Sequence, residues 1–307
     1  HLVLATGARN RFPPIPGLDP AAVLELRTLA HARAMTARLD ALRHVTIVGG
    51  GFIGLEVAAL LRQRDIAVDV LEAAERPMAR VLSPAMSEEF RAIHEAMGTR
   101  LRLKTAASGI APRGAGFAVS LSDGEVLETD AIVVAAGVVP NVELAAEAGL
   151  AVDNGVVVDA HLLTSDPAIS AIGDCAAHPN PWGIGIIRLE SVQNAVDQGK
   201  CVAARLTGDD RAYDALPWFW SHQGEAKLQI AGLAMGMDET VTRGDPASGK
   251  FSVFVYRQGR LIAVESVNSP ADHMAARRLL AAGVSVSKEA AADPATDLKA
   301  LIPKAAA

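Results

Sequence analysis

Cysteine is nearly absent. Cys175 and Cys201 are the only two among 307 residues, too far apart for a C-x-x-C redox pair or a zinc ribbon. These residues therefore hold no close dithiol of the kind a disulfide reductase uses, and such sparse usage fits a reducing, cytoplasmic setting. Long apolar runs are missing too. No stretch approaches the ~20 residues of a membrane span, and no basic start followed by an apolar core and a small-residue cleavage site marks a secretion signal. There is no surplus of positive charge either: 29 Lys and Arg stand against 35 Asp and Glu, a formal charge of −6. That balance argues against nucleic acid as the main partner. No metal-ligating or Ser/His/Asp pattern stands out.

Half of the chain is apolar and 21% is charged, a composition of a globular enzyme with enough length for two or three cores. The sequence opens at His1 and runs directly into Leu2-Val3-Leu4-Ala5, a strand pattern, so the true start is expected upstream. Pro13-Pro14-Ile15-Pro16-Gly17 is a connection, because proline fixes φ and lacks a donor. Leu29 to Leu42 has helical spacing. His44 to Val48 is a β-branched strand stopped by Gly49-Gly50-Gly51, Phe52 to Arg64 repeats at helical period, and Ala67 to Leu71 is a second strand ending in Glu72. Ser83 with Pro84 starts a helix running to about Met97. Strands follow near Leu101, at Phe117 to Leu121 and at Ala131 to Ala135, with Asp123-Gly124 as a hairpin turn. Val156 to Val158 and Ile169 to Ile172 are further strands, and Leu189 to Leu206 is helical. The last hundred residues change character: they hold Trp218 and Trp220, paired strands around Gln258-Gly259, a helix near Ala271 to Leu280, and a tail, Ala305 to Ala307, expected to fray.

The strand–turn–helix at Gly49-Gly50-Gly51-Phe52-Ile53-Gly54 satisfies G-x-G-x-x-G. The pattern alone is weak, but here it follows a strand, opens a helix and precedes an acid, Glu72, roughly 20 residues on, as a dinucleotide fingerprint requires. Gly49 allows the tight turn, Gly51 the approach of the pyrophosphate, and Gly54 close packing of helix on sheet. The helix N-terminus then offers unpaired N–H groups to phosphate. A carboxylate at Glu72 suits the ribose hydroxyls of NAD and repels a 2′-phosphate, so NADH is favoured over NADPH; Arg76 is the nearest cation that could offset this. Glu56, in the first turns of the helix, either complements the helix dipole or faces the nicotinamide, and spacing leaves both open.

Leu4-Ala5-Thr6-Gly7-Ala8, the fingerprint with Glu56, and Ile172-Gly173-Asp174-Cys175 together resemble flavoprotein reductases with two dinucleotide-binding domains. Glu190-Ser191-Val192-Gln193-Asn194-Ala195, Pro217-Trp218-Phe219-Trp220-Ser221, Lys227-Leu228-Gln229-Ile230-Ala231-Gly232 and Asp293-Pro294-Ala295-Thr296-Asp297-Leu298 narrow the resemblance. They point to ferredoxin reductases serving Rieske-type oxygenases and bacterial cytochrome P450 systems. The resemblance implies an α/β protein with two Rossmann-like domains, the first incomplete, and a C-terminal α+β domain. Residues 1–14 would be a remnant of the first FAD segment, 15–138 the NADH domain, 139–212 the second FAD segment and 213–307 the C-terminal domain.

By position, the resemblance implies that Thr6, Gly7 and Arg27 contact FAD, Asp174 the ribityl chain, Val192 the isoalloxazine, and Trp220 its pyrimidine end. Glu56 and Gly137 would lie by the nicotinamide. Cys175 reads as a small buried hydrophobe rather than a redox group. An FAD-binding segment with its own glycine fingerprint, and a Lys that pairs with Glu56, would precede His1. His222 stands where the family commonly has an acid. The implied activity is hydride transfer from NADH to FAD and then single electrons to a [2Fe-2S] ferredoxin, which Arg257, Arg260, Arg277 and Arg278 could help orient. Two other readings remain open at this point: another enzyme of the superfamily, such as an NADH oxidase, or an NADH-binding fragment without FAD or catalysis.

Overall fold

The computed structural model describes residues 1–303; the tail Ala305 to Ala307 lies outside the described residues. The chain forms two compact units, one of Asn10–Val138 with Ser221–Lys227, the other of His1–Arg9, Val139–Trp220 and the remainder from Leu228.

The first of these is built on a four-stranded parallel sheet in the order Arg100–Leu103, Ala67–Glu72, His44–Val48, Ala131–Val134. The two central strands, Ala67–Glu72 and His44–Val48, are β-branched and buried on both faces, as parallel strands covered by helices must be. A short helix α1 (Leu29–Thr36) leads in, and the helical spacing read to Leu42 breaks into a 3-10 turn at Leu39–Ala41. Helix α2 (Phe52–Arg62) buries Leu55, Ala58, Ala59 and Leu61 and leaves Leu60 exposed, the one-sided pattern that lays a helix on a sheet. Helix α3 (Pro84–Ala96) starts where Ser83 caps it, the hydroxyl accepting from the Met86 N–H. A three-stranded antiparallel sheet, Ala107–Arg113, Gly116–Leu121 and Val126–Thr129, packs Val119, Leu121 and Leu127 with Val48, Leu71 and Val134. Its first strand escapes sequence reading because Gly109 and Pro112 break the pattern. It is an edge strand, where proline and a local irregularity are tolerated.

The register puts all four parallel strands' carboxyl ends on one edge, at Val48, Glu72, Leu103 and Val134. Towards the opposite edge Asp69 is fully buried, accepting from His44 Nε2 at 2.6 Å, Arg100 at 2.5 Å and Arg102 Nε at 2.8 Å. Burial alone would raise its pKa, but the hydrogen bonds from these three residues outweigh it and hold the carboxyl far below the ordinary range. The same hydrogen bond, stronger than the opposing effect of burial, raises the His44 pKa.

In the other unit, Leu2–Leu4 pairs in parallel with Ile169–Ala171. After a short helix α4 (Glu143–Glu147), Val156–Val157, Ala176–Pro179 and Ile186–Ile187 form a second small sheet. The long helix α5 (Val192–Leu206) is capped by Ser191, so it begins three residues later than its spacing suggests. Leu4, Val156, Leu162, Ala171 and Val202 share one core. The C-terminal part is a five-stranded antiparallel sheet with helix α6 (Pro270–Ala281) packed on it through Phe254, Tyr256, Val264 and Leu279. Arg243 donates to the carbonyls of Asp293, Pro294 and Thr296, so the Asp293-Pro294-Ala295-Thr296 stretch is fastened through its backbone.

His44 binds its proton more tightly in the folded chain, so its contribution to stability is full below the unfolded pKa of ~6.5 and fades as pH rises through the raised folded value. His44→Ala should therefore destabilise more at about pH 5.5 than at about pH 9 in urea unfolding. An equal loss at both would show that the charged form is not what counts.

Candidate functional site

At the carboxyl edge of the parallel sheet the chain turns from His44–Val48 into α2. Gly49 has φ +113°, and a Cβ there would lie 2.3 Å from the Ala135 carbonyl oxygen. A Cβ on Gly54 would lie 2.1 Å from the Gly49 carbonyl oxygen, so the first turn of α2 can press against the strand end only without side chains. Gly51, the N-cap of α2, makes no side-chain capping bond, and a Cβ built on it meets nothing within 4 Å. The start of α2 at Gly51 thus faces open space, and an open helix start is the geometry that receives a phosphate. Ile53, in that turn, is half exposed.

Glu72 ends the neighbouring strand. One carboxylate oxygen accepts from the Gly50 N–H at 2.8 Å, the other from the Ala74 N–H at 2.8 Å. The acid therefore holds the glycine turn as well as presenting a carboxylate beside it. Gly50, the unspecified second position of the fingerprint, is constrained for this reason: a Cβ would sit 3.0 Å from Glu72 Cβ. Arg76 is committed elsewhere, donating to the Leu82 and Ala79 carbonyls and to Ser87 Oγ. It closes its own loop instead of offsetting the charge of Glu72.

Gly137 follows Ala131–Val134 on the same carboxyl edge, where its carbonyl accepts from the Arg11 N–H and Arg80 lies 3.5 Å from where its Cβ would be. Glu56 is half buried in α2 and accepts from Ser221 Oγ at 2.5 Å and from the His222 N–H at 3.3 Å. Ser221 and Gln223, to which the sequence assigned no role, are buried around this acid. The His222 side chain is exposed, and it is its backbone that faces Glu56. Arg27 is an exposed residue just before α1 in this unit.

In the other unit a second carboxyl edge gathers three of the flavin candidates, Thr6, Gly7 and Asp174. The parallel register Leu4↔Ala171 brings Thr6-Gly7 and Gly173-Asp174 to the same end of the two strands. Asn141, which begins the link to α4, clamps the first pair. Its Nδ2 donates to the Thr6 carbonyl, its N–H to the Gly7 carbonyl, and its own carbonyl accepts from Thr6 Oγ1 at 2.6 Å. The second turn is set by Gln198 of α5, whose Oε1 accepts from the Gly173 N–H at 2.6 Å, and by Arg188, which donates to the Asp174 carbonyl. Burial lowers the pKa of the neighbouring His178 to about 4, so it stays neutral behind Gln198. Val192, first residue of α5, is 66% exposed, and Trp220 is 42% exposed with its ring 5.6 Å from that of Trp218. Both present apolar surface of the kind a planar ring covers. Cys175 is buried, its thiol donating to backbone carbonyls. Among the four arginines considered for docking, Arg277 stacks over Trp218 at 4.0 Å and Arg257 donates to the Met235 carbonyl. Among the described residues no group of three or more His, Cys, Asp or Glu could hold a metal ion, and no helix is long and apolar enough to cross a membrane.

The residues fit both cofactors: an open helix start with an adjoining carboxylate for NADH, and a clamped pair of strand-end turns, with exposed apolar side chains in the same unit, for a flavin. Comparison with known proteins agrees. The family model for pyridine nucleotide-disulphide oxidoreductases matches residues 1–199, and that for the reductase C-terminal domain matches 218–302. The chain is 52% identical to rhodocoxin reductase of Rhodococcus erythropolis, over 98% of this chain and 71% of that protein. Its structure resembles the ferredoxin reductase for the CYP199A2 system of Rhodopseudomonas palustris, with TM-score 0.95, 50% identity, and coverage of 99% of this chain and 75% of that one. It also resembles the reductase in the covalent putidaredoxin reductase–putidaredoxin complex, with TM-score 0.92, 36% identity, and coverage of 98% and 74%.

Glu72→Ala tests the expectation that Glu72 accepts from the NAD ribose and repels a 2′-phosphate. Affinity for NADH should fall about tenfold, the loss of one charge-assisted hydrogen bond, while discrimination against NADPH narrows. Calorimetry with both nucleotides measures this, and an unchanged preference would remove Glu72 from the selectivity.

Proposed function

The chain belongs to the pyridine nucleotide-disulphide oxidoreductase family, and we propose that it acts as an NADH-dependent ferredoxin reductase, passing electrons through FAD to a [2Fe-2S] ferredoxin of an oxygenase system. The observation that carries this reading is the open glycine turn at Gly51 with Glu72 fixed beside it, on a chain whose relatives are ferredoxin reductases. FAD bound to the chain would supply a hydride acceptor for NADH and a one-electron donor for the ferredoxin, chemistry that side chains cannot perform.

The chain's own residues bind, orient and shield. The first turn of α2 receives the pyrophosphate, and Glu72 accepts from the adenosine ribose. Glu56 and Gly137 hold the nicotinamide end. Thr6, Gly7 and Asp174 would hold the flavin, Asp174 through the ribityl hydroxyls. Val192 and Trp220 cover apolar parts of the ring and keep water from it. Alignment of two bound rings requires no general acid or base. Within this reading the four segments 1–14, 15–138, 139–212 and 213–307 serve as part of the FAD domain, the NADH domain, the rest of the FAD domain and the C-terminal domain. The setting is cytoplasmic, where NADH is supplied and the two thiols remain reduced. Arg260 and Arg278 are the cations we assign to steering an acidic ferredoxin.

The test is anaerobic titration of the FAD-loaded protein with NADH, followed by oxidised [2Fe-2S] ferredoxin. The flavin's visible band should bleach with NADH, less readily with NADPH, and return as the ferredoxin is reduced. Bound flavin that NADH does not bleach would overturn the reductase reading. Bleaching without transfer to any ferredoxin would point to another enzyme of the same family.

A further inference from the structure

Behind Glu56 runs a line of buried polar side chains that the hydride step does not use. Ser221 Oγ donates to Glu56 Oε1 at 2.5 Å, Gln223 Nε2 donates to Ser221 Oγ at 3.0 Å, and Gln223 Oε1 lies 2.8 Å from His94 Nε2. Ser221, Gln223 and His94 are all essentially inaccessible to water, and all belong to the same compact unit as Glu56. Polar groups so placed are costly unless each meets a partner, and apolar side chains would fill the same volume more cheaply.

The hydrogen bonds have one consistent sense. His94 Nδ1 has no partner, so an N–H there would be buried and unpaired. The ring proton therefore sits on Nε2 and is donated to Gln223 Oε1. This fixes the amide with its NH2 towards Ser221 and Met78 Sδ. Ser221, accepting from the amide, must turn its own proton to Glu56. The opposite orientation of the amide would claim the serine proton for Gln223 and leave Glu56 without it. Burial lowers the His94 pKa and keeps the ring neutral, which preserves this sense around neutral pH.

We propose that His94, Gln223 and Ser221 are positioning residues that hold the Glu56 carboxylate in one orientation, saturating Oε1 and leaving Oε2 for the carboxamide N–H of the nicotinamide. The relay rests on the reading that Glu56 faces the nicotinamide. It gives α3 and the Ser221–Lys227 turn a part in recognising the half of the cofactor that reacts. Chains of donors polarise one another, so the last bond, to the carboxylate, is strengthened by those behind it.

Calorimetry with NAD+ and with ADP-ribose, which lacks the nicotinamide, tests this on the full chain. Glu56→Ala should weaken NAD+ by about tenfold, as expected for a lost charge-assisted hydrogen bond, and leave ADP-ribose unchanged. Ser221→Ala and His94→Phe should each shift the same ratio in the same direction by several-fold, and His94→Gln, whose amide can supply the Nε2 donor, should restore it. Unchanged ADP-ribose binding serves as the control for folding, and Ser221→Ala, which removes a single oxygen, keeps the test informative if His94→Phe misfolds. If Glu56→Ala changes the ratio but Ser221→Ala and His94→Phe do not, the relay is overturned while Glu56 keeps its place. If Glu56→Ala itself leaves the ratio unchanged, the placement of Glu56 fails and the relay falls with it.

Discussion

The carbonyl oxygen of Gly49 and the α-carbon of Gly54 approach so closely that one methyl group on Gly54 would lie 2.1 Å from that oxygen. This contact sets the start of α2 directly against the end of the strand before it, and much of the site depends on that placement. It aims the helix N-terminus across the carboxyl edge of the sheet. Glu72, Gly137 and Glu56 come to the same edge because parallel strands in register end together and because Glu56 lies one turn into the helix. The buried Asp69 cluster, towards the other edge, ties three strands together without approaching the cofactor face.

The same logic recurs in the other unit with different parts. There, too, two parallel strands end side by side, and the turns that follow them, Thr6-Gly7 and Gly173-Asp174, are held by side chains from elsewhere: Asn141 on one, Gln198 and Arg188 on the other. Backbone carbonyls and N–H groups are the objects being positioned in both units. A cofactor carries the chemistry, and what the protein must supply is geometry fixed to fractions of an ångström.

Elements with a strong period or a clear stop signal were legible in the sequence. The strand His44–Val48, the glycine turn and α2 could be read together because a β-branched run, three glycines and a 3.6-residue repeat follow one another. Ser83 and Pro84 marked the start of α3 for the same local reason. The strand Ala107–Arg113 was hidden, since an edge strand with Gly109 and Pro112 carries no alternation to detect. Candidate residues of the fingerprint were legible; the residues that hold them were not. Asn141, Gln198, Ser221 and Gln223 act across separations of 25 to 165 residues, and no local pattern encodes such pairings. Arg76 looked like a possible neutraliser of Glu72 by proximity in sequence, and only its three hydrogen bonds show that it serves its own loop.

The most direct measurement is NAD+ binding and thermal melting of Gly51→Ala. A Cβ at Gly51 meets no protein atom within 4 Å; alanine is a poorer N-cap than glycine by roughly 0.5–1 kcal/mol, but at the extended backbone of Gly51 the stiffer unfolded chain offsets about as much, so the melting temperature should stay close to that of the parent. The added methyl occupies the space that the pyrophosphate needs, so NAD+ should bind about tenfold or more weakly. Undiminished NAD+ binding by a folded Gly51→Ala chain would contradict the account, because the open turn above α2 would then not be where the cofactor sits.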